Sequence, residues 1–217
     1  PASLTLEAAP AQNISTVTGW KDQQADINPT MNTDGDQPGI IQHWRNGRDW
    51  LQFAGDTLVG VLPEGLTAPF AVLVASEIIS TPAGTVYALS FGDTTGFGNS
   101  LGVVYRSNGL VQVFDGATNS GDFSWANGDA HVIYIECKES GSPINTIRVN
   151  GVDGNSTSPH EMHTNANFVL GGYAPDDPDD GLRCNHRIGE VYVFGELPTT
   201  QQRDTAIAEL MQRHAIS

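Results

Sequence analysis

Hydrophobic and polar residues alternate with a period of two, or form short apolar runs, in a series of segments of strand length. Each segment ends at Gly, Pro, Asn or Asp, and no segment of helical length separates consecutive ones. The pairs Asn108-Gly109 and Asn150-Gly151 are typical of tight hairpin turns. The pattern predicts an antiparallel sandwich or barrel rather than alternating strands and helices. The predicted strands cover residues 50–53, 70–75, 86–91, 101–105, 110–114, 131–137, 146–152, 167–172 and 188–194.

The C-terminus is predicted to form one amphipathic helix over about residues 199–214. Thr199 and Gln202 have the spacing of a capping box, and apolar residues such as Ile207 and Leu210 follow at helical spacing. We expect this helix to pack on its own domain, with docking of a partner as the alternative.

The 217 residues contain no internal repeat and no Pro- or Ser-rich linker, so a single domain over 1–217 is expected. Residues 23–47 are polar and are predicted to form a long surface excursion. The chain begins at Pro1 without a visible signal peptide. That start is expected of a complete short gene product, with a trimmed or mature secreted chain as the alternative.

Acidic residues dominate the charge, with 25 Asp and Glu against 10 Lys and Arg and a formal net charge of −15. A phosphate backbone requires a basic face, so nucleic acid is not an expected partner. Binding to an anionic membrane surface is disfavoured for the same reason, and no apolar run is long enough for membrane insertion.

Five motifs follow one another in the order found in one family of β-sandwich domains. They are the segments 16–22 (TVTGWKD), 47–55 (GRDWLQFAG), 147–152 (IRVNGV), 170–173 (LGGY) and 188–194 (IGEVYVF). The series resembles concanavalin A-like and laminin-G-like jelly-roll domains. The resemblance implies an all-β, two-sheet antiparallel jelly-roll sandwich closed by the C-terminal helix. It leaves the function open, because this fold hosts lectins, adhesion modules, glycan hydrolases and viral structural domains.

Three functions are compatible with the resemblance. The first is an exterior virion protein of a bacteriophage, a capsid decoration or tail-associated domain. Its expected partner is a capsid or tail lattice, and a homo-oligomer is compatible with this role. The second is a lectin-like carbohydrate-binding module of a secreted or cell-surface protein, with cell-surface glycans as partners. The third and weakest is a glycan-active enzyme. The expected location is the virion exterior, with an extracellular location as the alternative.

The candidates for catalytic residues are carboxylates, because glycoside cleavage needs two of them on one face. Glu190 and Glu196 are the closest pair, but the second lies beyond the predicted strand. No complete catalytic constellation is present, so the chain is expected not to be an enzyme. Glu190 is expected to face solvent or to pair with an arginine.

Aromatic residues in or near loops are the candidates for glycan binding, because sugar rings stack on exposed aromatic rings. The candidates are Trp125, Phe123, Trp44 and Tyr105, with Trp125 as the strongest. The alternative for Trp125 is a loop anchor that covers the edge of the sandwich.

An acidic loop is the most conspicuous local feature. Asp176, Asp177, Asp179 and Asp180 lie within five residues, and their oxygens are ligands that calcium prefers. A calcium site is therefore a candidate, with a solvated acidic loop as the alternative. Two further residues, Cys137 and Cys184, are expected to be reduced core residues or to form one disulfide bridge.

Overall fold

Strands account for most of the described chain, as the alternating pattern predicts. The computed structural model describes residues 3–6, 30–31, 38–66, 69–92, 100–114, 119–138, 145–154, 165–173, 183 and 185–217. The strands are β1 (Ser3–Leu6), β2 (Thr30–Met31), β3 (Gly39–Arg45), β4 (Arg48–Ala54), β5 (Leu58–Leu66), β6 (Phe70–Ile78), β7 (Thr85–Gly92), β8 (Ser100–Arg106), β9 (Leu110–Phe114), β10 (Asn119–Ser124), β11 (Ala130–Cys137), β12 (Asn145–Val149), β13 (Val152–Asp153), β14 (Asn165–Leu170) and β15 (Asn185–Phe194). One helix, α1 (Thr200–Arg213), follows them.

The strands form two antiparallel sheets. Sheet 1 has the order β13-β12-β11-β6-β15-β4-β3, and β1 also pairs with β15. Sheet 2 has the order β10-β9-β8-β7-β14-β5-β2. This architecture confirms the predicted all-β, two-sheet antiparallel sandwich with one C-terminal helix.

The two Asn-Gly hairpins form where the sequence predicts them. Gly109 has a φ of 79° in the turn between β8 and β9. Asn150 and Gly151 have φ values of 49° and 78°, so this turn divides the predicted strand 146–152 into β12 and β13. Both turns need the left-handed conformation, which Gly and Asn adopt at low cost.

The surface excursion predicted over residues 23–47 is wrong for its C-terminal part. Gly39–Arg45 forms β3, which pairs with β4 at the edge of sheet 1. Its polar composition is compatible with a strand because an edge strand is paired on one side only.

The main core lies between the sheets and is built from the inward-facing residues of both. Strand β6 is buried along its whole length, because it lies at the centre of sheet 1 and is covered on both faces. The outer face of sheet 1 packs against α1 through Trp50, Leu73, Tyr134 and Leu210. This confirms the expectation that the helix packs on its own domain.

The N-terminus of α1 is capped as predicted. The Gln202 backbone N–H donates to Thr199 Oγ1 at 3.3 Å, and the Thr199 backbone N–H donates to Gln202 Oε1 at 2.9 Å. Each bond satisfies a backbone donor that the first helical turn leaves unpaired. Of the residues that the structure describes, none forms a helix long and apolar enough to cross a bilayer.

Candidate functional site

The hairpin formed by β3 and β4 carries an exposed tryptophan over the outer face of sheet 1. Asn46 and Gly47, with φ values of 49° and 74°, form its turn. The register of β3 against β4 shifts between Ile41 and Arg45, and His43 within this bulge has a φ of 53°. A bulge re-aims the side chains that follow it. It thereby directs Trp44 towards the surface of sheet 1.

A buried carboxylate fixes the orientation of Trp44. Glu77 lies near the end of β6 and is only 1% exposed. Trp44 Nε1 donates to Glu77 Oε2 at 2.8 Å, and Arg45 Nε donates to the same oxygen at 2.7 Å. Arg187 Nη1, which comes from the paired strand β15, donates to Oε1 at 2.5 Å. Three donors, two of them charged, compensate the burial of this carboxylate.

Trp44 presents a fixed aromatic surface to solvent. The guanidinium carbon of Arg187 lies 4.1 Å from the ring centroid, so one face of the indole is covered by a cation–π contact. The residue is nevertheless 43% exposed, and the contact with Arg187 covers only one of the two ring faces. The hydrogen bond at Nε1 and the contact with Arg187 hold the ring in place. Such a ring is a preorganised stacking platform.

Polar side chains surround the platform. Arg187 Nε donates to Gln52 Oε1 at 3.1 Å, and Arg45 Nη2 donates to the carbonyl of Gly128 at 3.0 Å. His43 is exposed at the rim, where its backbone N–H donates to Asp49 Oδ1 at 2.9 Å. These groups supply donors and acceptors of the kind that sugar hydroxyls require.

A polar cleft lies on the other side of the hairpin turn. Asn46 Nδ2 donates to the carbonyls of Gln212 and Arg213 at 3.3 and 3.2 Å, which ties the turn to the end of α1. The cleft has a volume of about 360 Å³ and is lined by Asn46, Arg48, Glu209, Gln212 and Arg213. Its lining is polar throughout and includes the hairpin turn that follows Trp44.

The other aromatic candidates do not join Trp44. Tyr105 is fully buried between the sheets, and its hydroxyl donates to Ser76 Oγ at 3.1 Å. Trp125 is 8% exposed and packs edge-to-face on Tyr105, with ring centroids 5.9 Å apart. Both residues therefore correct the expectation, because a ring enclosed in the core offers no face to a sugar. Phe123 is half-buried against the same core, so Trp44 is the candidate with the most open ring.

The acidic loop, the candidate calcium site, lies outside the part of the chain that the structure describes. Asp176, Asp177, Asp179 and Asp180 lie outside the described residues, so calcium binding there stays a prediction. Within the described ranges, no group of three or more His, Cys, Asp or Glu is placed to hold a metal ion. Cys137 is buried in the core, and Cys184 also lies outside the described residues.

Glu190 is an internal anchor for α1. It is buried on the outer face of sheet 1, and its carboxylate accepts hydrogen bonds from Arg213 Nη1 at 2.5 Å, His214 Nε2 at 3.0 Å and the Tyr192 hydroxyl. Burial alone would raise the pKa of this carboxyl, but the hydrogen bonds from His214 and Tyr192 and the charge of Arg213 lower it. Pairing with an arginine confirms one of the two expectations for Glu190.

The sequence did not identify the charged residues that orient Trp44. Arg187 and Glu77 are separated by 110 positions and become neighbours only because β15 pairs with β6. One signal was present: Glu77 is the only charged residue in the apolar strand 70–78, and a buried charge is retained only with partners.

Comparisons with known proteins identify the fold. No family model matches the chain, and no curated protein matches it. A solved sialidase of Trypanosoma rangeli matches at 15% identity with a TM-score of 0.68, covering 99% of this chain and 33% of that one. The same sialidase in complex with sialic acid matches at 14% identity with a TM-score of 0.58, covering 96% and 33%. The binding domain of botulinum neurotoxin serotype D matches at 10% identity with a TM-score of 0.66, covering 96% and 50%.

The extent of these matches limits what they show. The chain spans about a third of the sialidase and about half of the toxin domain. At identities of 10–15% the similarity shows the β-sandwich fold alone. None of these three structures is a bacteriophage protein, and membership of a laminin-G-like family is not shown by them.

The expectation that the chain is not an enzyme is wrong as stated. It rested on an incomplete carboxylate pair, whereas solved enzymes, the sialidases, share the fold over nearly the whole chain. Because the chain spans only a third of those enzymes, catalysis is not shown either.

Proposed function

We propose that the chain is a glycan-binding β-sandwich module and that Trp44 is its stacking platform. The observation that carries the proposal is an exposed tryptophan held in one orientation by a buried carboxylate and a stacked guanidinium. Holding the ring before the ligand arrives lowers the entropy lost on binding. The polar groups around it supply the hydrogen bonds that distinguish one sugar from another.

Two of the structural neighbours support a binding role. One sialidase structure is a complex with sialic acid, and the toxin structure is that of a binding domain. The first protein therefore recognises a sugar, although the chain aligns with only a third of it. These facts support glycans as the ligand class without assigning a specificity.

A glycan array tests the proposal. The wild-type chain should bind at least one oligosaccharide, and Trp44→Ala should weaken that binding by more than about tenfold, because truncation of an aromatic anchor costs about 2 kcal/mol or more. Trp44→Phe should bind with intermediate strength, since it keeps a ring but lacks the Nε1 donor to Glu77. The array is run with calcium and with a chelator.

Val152→Ala is the matched control for this experiment. Val152 is also a large exposed hydrophobic residue, at 62%, but it lies on β13 at the opposite edge of sheet 1 from β3. Its variant should bind like the wild type. Absence of any bound glycan under both conditions would refute the proposal.

The module is further proposed to act on the exterior of a virus particle, as a decoration or tail-associated domain, with an extracellular lectin as the alternative location. The support is its strong acidity, since a net charge of −15 suits a solvated outer surface. Immunogold labelling of purified particles from the source organism tests this location. Unlabelled particles would contradict it, whatever the result of the glycan array.

A further inference from the structure

The surroundings of Trp44 carry more positive than negative charge. Arg45 and Arg187 both contact Glu77, so two guanidinium groups share one carboxylate. One positive charge is left uncompensated beside the ring, on a chain whose formal net charge is −15. A local positive patch on an acidic protein raises the concentration of anions near that patch.

Neighbouring acids do not cancel this charge at the ring. Along β4, Trp50 and Gln52 face α1 and Arg187, so alternation directs Asp49 to the other side of the hairpin. The Asp49 carboxylate accepts the backbone N–H of His43 there. The Asp129 carboxylate accepts a backbone N–H within its own turn at 2.6 Å.

Arg45 retains a guanidinium nitrogen that no hydrogen bond within the described part of the chain uses. Its Nε and the Nε1 of Trp44 donate to the same oxygen of Glu77, so the guanidinium lies beside the pyrrole edge of the indole. Its Nη2 contacts the carbonyl of Gly128, whereas its Nη1 has no hydrogen-bond partner among the residues that the structure describes. The side chain is 25% exposed. A guanidinium with remaining donors at the edge of a stacking platform matches a carboxylate attached to a stacked sugar.

We infer that the Trp44 site selects glycans that carry a carboxylate, an inference that rests on the proposed glycan-binding function. The sugar ring stacks on the open face of Trp44, and its carboxylate accepts hydrogen bonds from Arg45. Arg187 covers the opposite face and adds its positive charge behind the ring. Uronic acids and sialic acids both present such a carboxylate.

The test compares each acidic oligosaccharide with its own methyl ester, which removes the charge and keeps the sugar. The probes are 3′-sialyllactose and oligogalacturonate, so the two arms distinguish a sialic acid from a uronic acid. The wild-type chain should bind the acid of at least one probe about tenfold or more tighter than its ester, as expected for a charge-assisted pair. Affinities are measured by isothermal titration calorimetry.

Arg45→Gln should reduce the preference for the acid over the ester to within about twofold, because it removes the guanidinium that binds the carboxylate. The ester should still bind, because the indole of Trp44 remains. Arg45→Lys should keep part of the preference as a point charge. Arg148→Gln is the control, since Arg148 is 14% exposed and pairs with Asp153 and Asp204 away from Trp44. Thermal melting of each variant verifies that it is folded.

The outcomes separate the inference from the function on which it rests. Equal binding of acid and ester, or a preference that survives in Arg45→Gln, overturns the inference and leaves glycan binding intact. Failure of the wild-type chain to bind these probes or any glycan of the array overturns both.

Discussion

His131 is a buried polar residue whose polar atoms are not all satisfied. It lies inside the sandwich near Tyr105, and its Nδ1 has no hydrogen-bond partner. Burial lowers its pKa below the ordinary value of 6.5, and the charge of Asp129 opposes this shift only in part. The folded state therefore disfavours the protonated form of His131 relative to the unfolded chain.

The first prediction concerns acid stability. Because the pKa of His131 is lower in the folded state, its contribution is complete above about pH 6.5 and is lost as the pH falls below that value. His131→Phe removes the titration and the unpaired nitrogen, so its free energy of unfolding should fall less between pH 7.5 and 5.5 than that of the wild type. Urea unfolding at the two pH values measures the difference.

The control for this prediction is His43→Asn. His43 is exposed and has a φ of 53°, which Asn tolerates. This variant should keep the wild-type pH dependence. The same pH dependence in His131→Phe as in the wild type would show that His131 does not titrate differently on folding.

Gly189 is required by close packing rather than by backbone conformation. A Cβ at this position would lie 2.8 Å from Trp50 and 2.9 Å from His214, both of which are buried. We predict that Gly189→Ala lowers the free energy of unfolding by about 1–3 kcal/mol, the usual cost of overpacking a core.

Gly195→Ala is the matched control, because a Cβ there meets nothing within 4 Å. Its free energy of unfolding should differ from the wild type by less than about 1 kcal/mol. Urea unfolding of both variants makes the comparison, and equal values would contradict the packing argument.

At the scale of the elements, α1 is joined to sheet 1 by apolar packing and by a hydrogen-bonded ion pair between Glu190 and Arg213. Glu190 on β15 binds Arg213 and His214, which end the helix. The pKa of Glu190 is lowered in the folded state. The stability that its carboxylate contributes is therefore fully present above the ordinary glutamate pKa of about 4.5, and it is lost as the pH falls through the lower pKa of the folded state.

The third prediction is that Glu190→Gln loosens the C-terminal half of α1. It removes the charge that compensates Arg213, and breaking a buried pair in this way costs about 3 kcal/mol. Amides of α1 should exchange hydrogen faster, while those of β11 stay protected. Hydrogen exchange followed by mass spectrometry measures both.

Glu196→Gln controls for the loss of one negative charge, because Glu196 is exposed. It should exchange like the wild type. Unchanged protection of α1 in Glu190→Gln would show that apolar packing alone holds the helix.

Features set by neighbouring residues were predictable from the sequence, and features set by distant pairing were not. The capping box joins Thr199 to Gln202, three positions further on, and the Asn150-Gly151 turn depends on two adjacent residues; both form as predicted. The bulge in β3 depends on pairing with β4, so the direction of the Trp44 side chain could not be predicted from the sequence. The burial of Trp125 was likewise not evident, because it depends on packing against Tyr105, which lies on β8, 20 positions earlier in the chain.

At the scale of the whole molecule, the helix and the candidate site share one face. The outer face of sheet 1 packs against α1, and Asn46 in the turn of the β3–β4 hairpin, two residues after Trp44, contacts the end of the helix. Among the described residues, the two exposed large hydrophobic side chains, Trp44 and Val152, lie at opposite edges of this sheet. The proposed ligand site therefore lies at one edge of one sheet.

The most direct test follows the tryptophan indoles by nuclear magnetic resonance. The chain has four tryptophans, so a nitrogen-15 correlation spectrum shows four indole N–H signals, and Trp44→Phe identifies that of Trp44. The labelled chain is titrated with the oligosaccharide that binds most tightly on the array. We predict that the Trp44 signal shifts most while the buried Trp50 and Trp125 signals stay in place. A shift centred on Trp125, or bound glycan with an unmoved Trp44 signal, would contradict the account.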